Sequence, residues 1–330
     1  MQGNVVGFNG GIFVSDTRLI TVVMALYNPN INWLEEELAS IQKQTFQNFQ
    51  VYIWNDNPQD SRPYEDLFRK YLKDIPFRYF SGKKNLGSNK VFEKLTALTD
   101  TSYIAFCDQD DVWLPNKLEV LIGLLQKKDV TLACSDMYVI DENSFVVADS
   151  ITQIRPRQVI YRGEDIMPHL LAKNFITGCT VMMRTDIAQM ALPFPKVFFH
   201  DWWLSLIAGL SGTIEVSLQP LMKYRISTEN QSKPFANVSC KQDYVSQYIK
   251  SYQTLLNRLQ NIFLRDNRLS LYNRWADVRM RYFQSPNIQD AVFLWKIRYL
   301  SKYTTLFELV LPYLPDKIFS FLVKKIKAGR

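Results

Sequence analysis

The chain has 330 residues, 47% of them apolar, and carries a formal net charge of +7. This length and composition allow a sizeable core, exclude a disordered or fibrous protein and predict about two domains. The four cysteines form no C-x-x-C pair, which argues against a disulfide framework or a zinc site, and we expect them to be small buried residues of a reducing compartment.

The N-terminal lead segment, residues 1–18, lacks the basic stretch and apolar core of a signal peptide. No apolar window is long enough to predict a membrane-spanning helix. We therefore expect a cytoplasmic protein.

Strand-like and helix-like segments alternate after the lead segment. The predicted strands cover residues 19–28, 49–57, 77–80 and 103–107, and the helices between them begin near Trp33, Tyr64 and Ser88. This alternation predicts a parallel α/β sheet that binds ligands at the carboxyl ends of its strands. Asn28, Asp56 and Asp108 each follow one of these strands, so we expect them to line one crevice.

The pattern becomes mixed in the second half of the chain. We predict strands over 131–140 and 178–184, a pair of strands within 212–226, and mostly helix after Gln242. The predicted domains are an α/β domain over 19–235 and a helical extension over 236–330.

Three carboxylates, Asp108, Asp110 and Asp111, lie within four residues at the end of a predicted strand. Their mutual repulsion favours a counter-ion, and Mg²⁺ typically binds few carboxylates while sharing its other positions with phosphate oxygens. The alternative is an acidic loop or a helix start, which Asp111 and Asn116 each favour and for which Pro115 is a suitable first-turn residue. Because other polar residues also follow strands, we favour the metal site.

Six motifs occur in an order that resembles the family 2 glycosyltransferases with the GT-A fold. They are ITVVMALYNPN, LASIQKQTFQNFQVYIWNDNPQD, KNLGSNKVFEKL, DQDDVWLPNKLE, NFITGCTVMMR and HDWWLSLIA, and the resemblance covers about residues 19–231. Within the family the chain resembles the bacterial group often named rhamnosyltransferases, which act on cell-surface polysaccharides or glycoconjugates. The resemblance implies a mixed sheet flanked by helices, followed here by a helical C-terminal extension.

The resemblance also implies a site for a UDP- or dTDP-sugar. The residues implied to contact the nucleotide are Ala25, Tyr27, Asn28, Asn85, Gly87 and Lys90. Asp56 matches the carboxylate that accepts the base N–H, although NDNPQD stands here where the family usually has Asp-Asp-Gly-Ser. Asp108 and Asp110 match the D-x-D motif that holds Mn²⁺ or Mg²⁺ on the diphosphate.

The motif FFHDWW matches the part of the family that carries the general base, which makes Asp201 the candidate. The base takes a proton from an acceptor hydroxyl, and the oxygen displaces the nucleotide diphosphate in one step with inversion. The alternative is a helix start at His200 and Asp201 with Trp202 and Trp203 in the core, and both descriptions can hold together.

Arg225 is implied to neutralise phosphate, or else to form a salt bridge inside the fold. Ser227 stands where the family often has a histidine that contacts metal or phosphate. Processive members carry Q-x-x-R-W beside spanning helices, whereas this chain has Leu271 at the glutamine position. We therefore expect one sugar to be transferred per binding event.

The basic residues concentrate at the C-terminus, with 16 basic and six acidic residues from Lys241 onward. The last segment combines an apolar face with lysines, and its residues are Ile318, Phe319, Phe321, Leu322, Lys324, Lys325, Ile326, Lys327 and Arg330. Such a segment suits a membrane interface on the inner face of the plasma membrane. The alternative is a helix packed on the domain or in a homodimer interface. No recognised nucleic-acid-binding module is present.

These observations predict an inverting, metal-dependent glycosyltransferase. The expected acceptor is a hydroxyl of a polysaccharide, a lipid-linked oligosaccharide or a glycoprotein glycan. The alternative is a non-catalytic subunit that binds nucleotide sugar or acts as a scaffold for a partner transferase. A nucleotidyltransferase is disfavoured because no glycine-rich nucleotidyl loop is present.

Overall fold

The computed structural model describes residues 18–155, 158–163, 165–196, 198–227 and 238–327. The chain forms two compact units. The first comprises Met1–Ile166 and Phe175–Ser227, and the second comprises Met167–Asn174 and Thr228–Arg330. The lead segment up to residue 17 and the predicted boundary at 235–236 lie outside the described residues.

A seven-stranded mixed sheet forms the centre of the first unit. In chain order its strands are β1 (Ile20–Leu26), β2 (Phe49–Asn55), β3 (Phe77–Ser81), β4 (Tyr103–Cys107), β6 (Val130–Cys134), β9 (Met182–Arg184) and β10 (Thr213–Val216). The spatial order is β10-β6-β9-β4-β1-β2-β3. Only β9 is antiparallel to its neighbours among these strands. The predicted mixed α/β fold is confirmed.

Helices follow the strands of the first unit much as the sequence predicts. They are α1 (Ile31–Gln42), α2 (Tyr64–Leu72), α3 (Ser88–Leu98), α4 (Lys117–Leu125), α5 (Ile151–Ile154), α7 (Thr185–Met190) and α8 (His200–Ser211). Helix α1 begins after Asn30, whose side chain accepts the backbone N–H of Asn32 and so satisfies one free donor of the first turn. Its Leu34 and Leu38 are fully buried, as the helical spacing of apolar residues predicts.

A second, four-stranded sheet was not predicted. It contains β5 (Val112–Trp113), β7 (Tyr138–Ile140), β8 (Val146–Ala148) and β11 (Met222–Arg225) in the spatial order β5-β11-β7-β8. The prediction of one strand over 131–140 is wrong, because the chain leaves the large sheet after Cys134 and enters the small one at Tyr138. At the break, the Asp136 side chain accepts the backbone N–H of Met137 at 2.7 Å, which favours a turn.

Two further strand predictions need correction. The strands within 212–226 do not pair with each other: β10 pairs with β6, whereas β11 pairs with β5 and β7. Within 178–184 only Met182–Arg184 is a strand, and Gly178–Thr180 forms a 3₁₀ turn. The Thr180 hydroxyl donates to the Thr177 carbonyl at 2.7 Å, which stabilises that turn.

The second unit is helical, as predicted for the C-terminal extension. It contains α6 (Met167–Ala172), α9 (Lys241–Tyr244), a π-helical turn (Val245–Lys250), α10 (Ser251–Ile262), α11 (Ser270–Gln284), α12 (Ile288–Lys296), α13 (Lys302–Val310) and α14 (Asp316–Lys327). The Tyr252 hydroxyl donates to the Leu171 carbonyl at 2.7 Å, and the Tyr272 hydroxyl donates to the Pro168 carbonyl at 2.9 Å. These bonds tie α6 to α10 and α11.

A buried ion pair lies in the core of the second unit. The Arg279 guanidinium donates to both carboxylate oxygens of Glu308 at 2.7 and 2.5 Å, and the Tyr244 hydroxyl donates to the same carboxylate at 2.8 Å. Both charged side chains are almost fully buried, so each satisfies the other where water does not reach.

Helix α14 packs one face into this core. Phe319 and Val323 are buried, whereas Ile318 and Phe321 are exposed. The structure therefore matches the packed alternative for part of the predicted apolar face; the Ile326 side chain and Arg330 lie outside the described residues. Within the described segments, no helix has the length and apolar character needed to cross a bilayer.

The cysteine prediction holds for Cys107, Cys134 and Cys179, which are buried free thiols. It is wrong for Cys240, which is exposed. Cys240 lies at the start of α9, where its backbone N–H donates to the Asp243 carboxylate at 3.1 Å. This position at a surface helix end explains the exposure.

Candidate active site

The carboxyl ends of β1, β2 and β4 meet at one edge of the large sheet, because these three strands are parallel neighbours. The loop after β1 and the acidic motif after β4 are joined by Gln109. Its side-chain carbonyl accepts the Tyr27 N–H at 2.8 Å, and its amide group donates to the Tyr27 carbonyl at 3.1 Å. Sequence analysis did not single out Gln109, the variable residue of D-x-D, yet it fixes the spacing of the two loops.

The loop after β2 contains the motif that departs from the family pattern. The Asn55 side chain accepts the Asn57 N–H at 3.0 Å, and the Asn57 side chain accepts the Gln59 N–H at 2.9 Å. Asn57 also donates to the Asn28 side chain at 2.6 Å. Asn28 has φ +47°, a left-handed conformation that asparagine tolerates better than most residues. Turns stabilised by asparagine side chains therefore form this loop, and the hydrogen bond from Asn57 to Asn28 connects it to the end of β1.

Asp56 holds the segment that precedes α3. Its two carboxylate oxygens accept the backbone N–H groups of Leu86 and Gly87, each at 2.8 Å, and the residue is buried. The Asn85 side chain also accepts the Gly87 N–H at 3.0 Å. Gly87 has φ +81°, a conformation that side chains disfavour, although a Cβ atom there would meet no neighbour within 4 Å. Asp56, which is predicted to contact the nucleotide base, thus also has a structural role in holding this segment.

Two other predicted nucleotide residues have simpler surroundings. Ala25 is a half-buried residue of β1. Lys90 forms an ion pair with Glu93 on α3, and Glu93 also accepts the Phe194 N–H at 3.1 Å. The ammonium group of Lys90 is half-exposed and remains accessible to solvent.

The acidic motif places its three carboxylates differently. Asp108 and Asp110 are half-exposed, whereas Asp111 is fully buried. One potential ligand atom each from Asp108, Asp111 and Cys179 lies within 4.8 Å of the others. Over the described residues, this group does not include Asp110, the second predicted metal ligand. Asp111 turns inward, where its Oδ1 accepts the Arg225 N–H at 3.0 Å, and the assignment of Asp108 and Asp110 as metal ligands stays a prediction.

Burial and neighbouring carboxylates raise the pKa values of these acids. Burial is the main cause for Asp108, and the Asp201 carboxylate is the second. For Asp111 burial again comes first, followed by the negative charge of Asp110. Both shifts mean that a positive charge at this place would stabilise the ionised carboxylates.

Lys117 is a buried cation beside the acidic motif. Its ammonium donates to the Cys179 carbonyl at 2.6 Å and lies 3.6 Å from the centre of the Trp113 ring. Burial lowers its pKa. Nearby, burial raises the pKa of Glu37 to about 8, so this acid is mostly neutral at pH 7 and accepts the Cys107 thiol at 3.0 Å. Sequence analysis missed Lys117 and Glu37, because charged residues in a helix are usually expected at the surface.

The donor set fits a hard divalent cation. The carboxylate oxygens of Asp108 and Asp111 are ligands that Mg²⁺ and Mn²⁺ prefer. Asp111 Oδ2 is buried and has no hydrogen-bond partner among the described residues, so it has capacity for a further interaction. Burial raises the pKa of the Cys179 thiol well above its usual range, so the sulfur keeps its proton and is a poor ligand.

Arg225 lies behind the acidic motif. Its side chain is fully buried and donates to the Asp110 carbonyl at 2.8 Å, the Asp141 carbonyl at 3.1 Å and the Ser144 hydroxyl at 2.9 Å. It also forms an ion pair with Glu36 at 2.6 Å. Of the two alternatives for Arg225, the structure has the internal salt bridge, and the phosphate contact is not supported because the guanidinium points into the protein. Ser227 follows two residues later.

Asp201 lies in the first turn of α8, where its Oδ1 accepts the Trp202 N–H at 2.6 Å. The alternative description applies in part, because α8 begins at His200 and Trp203 is fully buried, whereas Trp202 is half-buried. Gly178 makes the close approach possible: a Cβ atom there would lie 2.8 Å from His200 Nε2 and 3.5 Å from the Asp201 Cβ. The helix start carries Asp201, whose negative charge helps to raise the pKa of Asp108.

His200 is a neutral histidine in an apolar environment. Its ring lies 4.3 Å from that of Phe92 and 5.6 Å from that of Phe106. Neither ring nitrogen has a hydrogen-bond partner among the described residues, and burial lowers its pKa to about 3. His200 therefore contributes packing and no charge at neutral pH.

Curated relatives are similar to this chain over about three quarters of its length. An uncharacterized glycosyltransferase of Methanocaldococcus jannaschii is 27% identical over 251 residues, which cover 74% of this chain and 81% of the relative. The UDP-Glc:alpha-D-GlcNAc-diphosphoundecaprenol beta-1,3-glucosyltransferase WfgD of Escherichia coli is 23% identical over 239 residues, covering 72% of this chain and 88% of the relative.

Solved structures share the fold. TarS 1–349 of S. aureus in complex with UDP-GlcNAc has a TM-score of 0.60 at 12% identity, covering 94% of this chain and 92% of that one. The mannosyltransferase PcManGT from Pyrobaculum calidifontis, in complex with GDP-Man and Mn²⁺, has a TM-score of 0.50 at 13% identity, covering 94% and 88%. The family model described as glycosyl transferase family 2 matches residues 21–190. The chain therefore belongs to glycosyl transferase family 2.

Proposed function

We propose that the protein transfers a single hexose from a UDP- or dTDP-sugar to a hydroxyl of a glycan acceptor, with inversion and with the help of a divalent cation. The observation that carries this proposal is the position of Asp201 at the start of α8, close enough to Asp108 to raise its pKa. One site thus contains an acidic motif suited to a diphosphate–metal complex and a separate carboxylate suited to an acceptor.

The donor nucleotide binds at the ends of β1 and β2. Tyr27, Asn28 and Asp56 line this edge, and the segment from Asn85 to Gly87 borders it through the Asp56 carboxylate. The solved relative with UDP-GlcNAc and the relative named for UDP-Glc support a nucleotide-sugar donor of the uridine type.

Asp108 and Asp110 would hold Mn²⁺ or Mg²⁺, because both are half-exposed and could share a cation with a diphosphate. Asp111 lies in one group of potential ligand atoms with Asp108, and its Oδ2 would supply a further oxygen to the cation. The cation, when bound, neutralises charge that builds up on the diphosphate leaving group. The Mn²⁺ complex of the mannosyltransferase relative supports this choice of ion.

Asp201 acts as the general base. Its carboxylate accepts the proton of the acceptor hydroxyl while that oxygen forms a bond to the anomeric carbon, and the bond from this carbon to the diphosphate breaks. Because the oxygen attacks opposite the leaving group, the configuration inverts. Gly178 leaves room for the neighbouring His200 ring, since a Cβ atom there would lie 2.8 Å from His200 Nε2.

The acceptor is a glycan of a cell-surface polysaccharide, a glycoprotein or a lipid-linked oligosaccharide. The diphosphoundecaprenol-linked acceptor in the name of the Escherichia coli relative favours the lipid-linked class. Such an acceptor places the protein on the inner face of the plasma membrane.

Calorimetric titration of UDP and dTDP, with and without Mn²⁺, tests the donor site first. We expect binding that depends on Mn²⁺, and Asp110→Ala should weaken it while leaving metal-free binding unchanged. No binding of either nucleotide under either condition would refute the donor site.

The general base is tested with Asp201→Asn. This variant should lose sugar transfer but bind UDP with Mn²⁺ as the wild type does, because the substitution removes the proton acceptor and little else. An equal loss of nucleotide affinity would refute the assignment. Slow hydrolysis of a UDP-sugar by the wild type separates an enzyme from a non-catalytic binding subunit, which would give none.

A further inference from the structure

A row of exposed apolar side chains runs along α12 and the turn that follows it. Ile288, Val292, Trp295 and Tyr299 are separated by four, three and four residues, the spacing that places side chains on one face of a helix. Their exposed fractions are 78%, 45%, 49% and 71%. Leu294, on another face of α12, is buried in the second unit, whereas the side chains of this row are exposed.

A second row of exposed apolar side chains lies along α13 and the 3₁₀ turn after it. Tyr303, Leu306, Val310 and Tyr313 are separated by three, four and three residues. Their exposed fractions are 68%, 37%, 52% and 67%. We call these two rows together the α12–α13 face. Single exposed apolar residues are ordinary, whereas two such rows on successive helices are typical of an interaction surface.

The charges around the α12–α13 face are positive. Lys296 and Lys302 are exposed and Arg298 is half-buried, and all three lie in the stretch from the end of α12 to the start of α13. The acidic residues of the same stretch, Asp290 and Glu308, are buried and each is paired with an arginine of α11. The carboxylates therefore face inward while the cations face outward.

The aromatic residues of the face indicate which surface it binds. Trp295, Tyr299, Tyr303 and Tyr313 have the apolar rings and polar edges that favour the headgroup region of a bilayer. We propose that the α12–α13 face binds an anionic lipid surface, with its apolar side chains in the headgroup region and its cations on lipid phosphates. This inference deepens the proposed function, because such a surface presents a lipid-linked acceptor.

A second copy of the chain is the less suitable occupant. In a two-fold symmetric dimer the same patch faces itself, which would bring Lys296, Arg298 and Lys302 of one copy close to those of the other. Like charges at that distance oppose association. An anionic leaflet, in contrast, is attracted by all three cations, with each strengthening binding about fivefold.

The test is sedimentation with phosphatidylcholine vesicles that contain or lack phosphatidylglycerol. The wild type should bind only the vesicles with the anionic lipid, and high salt should weaken binding because it screens the charges. The double variant Trp295→Ser/Tyr299→Ser should bind at least about tenfold more weakly. Lys296→Glu/Lys302→Glu should lose about 25-fold or more.

Matched controls change exposed residues outside the face. Leu218→Ser/Leu264→Ser removes two leucines that are 84% and 75% exposed. Lys43→Glu/Lys128→Glu makes the same change of charge at two exposed lysines. Both controls should bind vesicles as the wild type does. All variants should keep the helical circular dichroism and the UDP affinity of the wild type, since every altered side chain is exposed.

Three results would overturn the proposal. They are a wild type that does not bind anionic vesicles, variants of the face that bind no more weakly than the controls, and a wild-type dimer that the Trp295→Ser/Tyr299→Ser change dissociates in analytical ultracentrifugation. Failure of the proposed function would be distinct, because it would appear as absent UDP binding in a wild type whose vesicle binding still depends on the face.

Discussion

Replacing Arg225 by alanine should destabilise the first unit and weaken donor binding. The change removes the donors to the Asp110 and Asp141 carbonyls and to the Ser144 hydroxyl. A buried acceptor left without a donor costs about 1–3 kcal/mol, and we use the low end for each because all three belong to half-buried residues. Glu36 is 42% exposed and returns to water at little cost. The expected loss of unfolding free energy is therefore about 3 kcal/mol.

Donor binding should respond because the guanidinium holds the Asp110 carbonyl in place. A loop released from this contact adopts other conformations, and affinity falls with the fraction that remains competent. A cost of about 1.4 kcal/mol would weaken Mn²⁺-dependent UDP binding about tenfold. Urea unfolding monitored by tryptophan fluorescence measures the stability, and calorimetry measures the affinity.

The matched control is Arg184→Ala. Arg184 also forms an ion pair, with Asp186, but both side chains are about half-exposed at 49% and 61%. Such surface pairs contribute about 0–1 kcal/mol. If Arg225→Ala unfolded at the same urea concentration as Arg184→Ala and bound UDP as tightly, the proposed support of the acidic motif by Arg225 would be wrong.

Three further predictions concern other parts of the fold, each checked by urea unfolding. Gly87→Ala should lower the free energy of unfolding by about 1 kcal/mol because Gly87 has φ +81°, whereas Gly123→Ala within α4 should raise it by about 0.5–1 kcal/mol. Equal effects of the two substitutions would contradict the argument from backbone conformation. Glu308→Gln should cost about 3–5 kcal/mol by leaving the Arg279 charge buried, and a loss below 1 kcal/mol would show that water reaches the pair. His200 has a pKa of about 3 in the folded chain and about 6.5 in the unfolded chain, so the unfolded chain binds more protons between these pH values. The free energy of unfolding therefore rises with pH across this window, by up to about 1.4 kcal/mol per pH unit. His200→Leu should remove this slope below pH 6.5, and an unchanged slope would assign it to other groups.

The first half of the large sheet could be predicted because its strands are local apolar runs. Strands β1, β2 and β4 end at or within two residues of the predicted positions, so Asn28, Asp56 and Asp108 follow strands that are parallel neighbours. The adjacency of the strand ends then follows from the rule for parallel sheets.

The second sheet could not be predicted from local pattern. Residues 131–140 are apolar on both sides of Asp136, and only the pairing partners show that β6 and β7 belong to different sheets. The partners β10 and β11 come some 80 residues later in the chain, and no local pattern carries this information.

Two supporting residues of the site, Gln109 and Lys117, were missed for a related reason, and for Arg225 the sequence left a phosphate contact and an internal salt bridge open. Gln109, Lys117 and Arg225 act through contacts with residues 62 to 189 positions away in the sequence. Their residue types favour exposure, and only the tertiary structure shows that Lys117 and Arg225 are buried. The acidic motif itself could be recognised in the sequence because its three carboxylates lie within four consecutive residues.

Helix α6 has a consequence for how this chain can be divided. Met167–Asn174 belongs to the second unit, although it lies within the stretch matched by the family model. Its Leu170 and Leu171 are buried, and α10 and α11 supply the tyrosines that bind its carbonyls. A stop codon after Ser227 would therefore leave α6 without these helices and with its leucines in water. A gene that recombines by a single crossover near this position would also separate α6 from α10 and α11 and produce the same defect. We therefore expect the two units to be exchanged together.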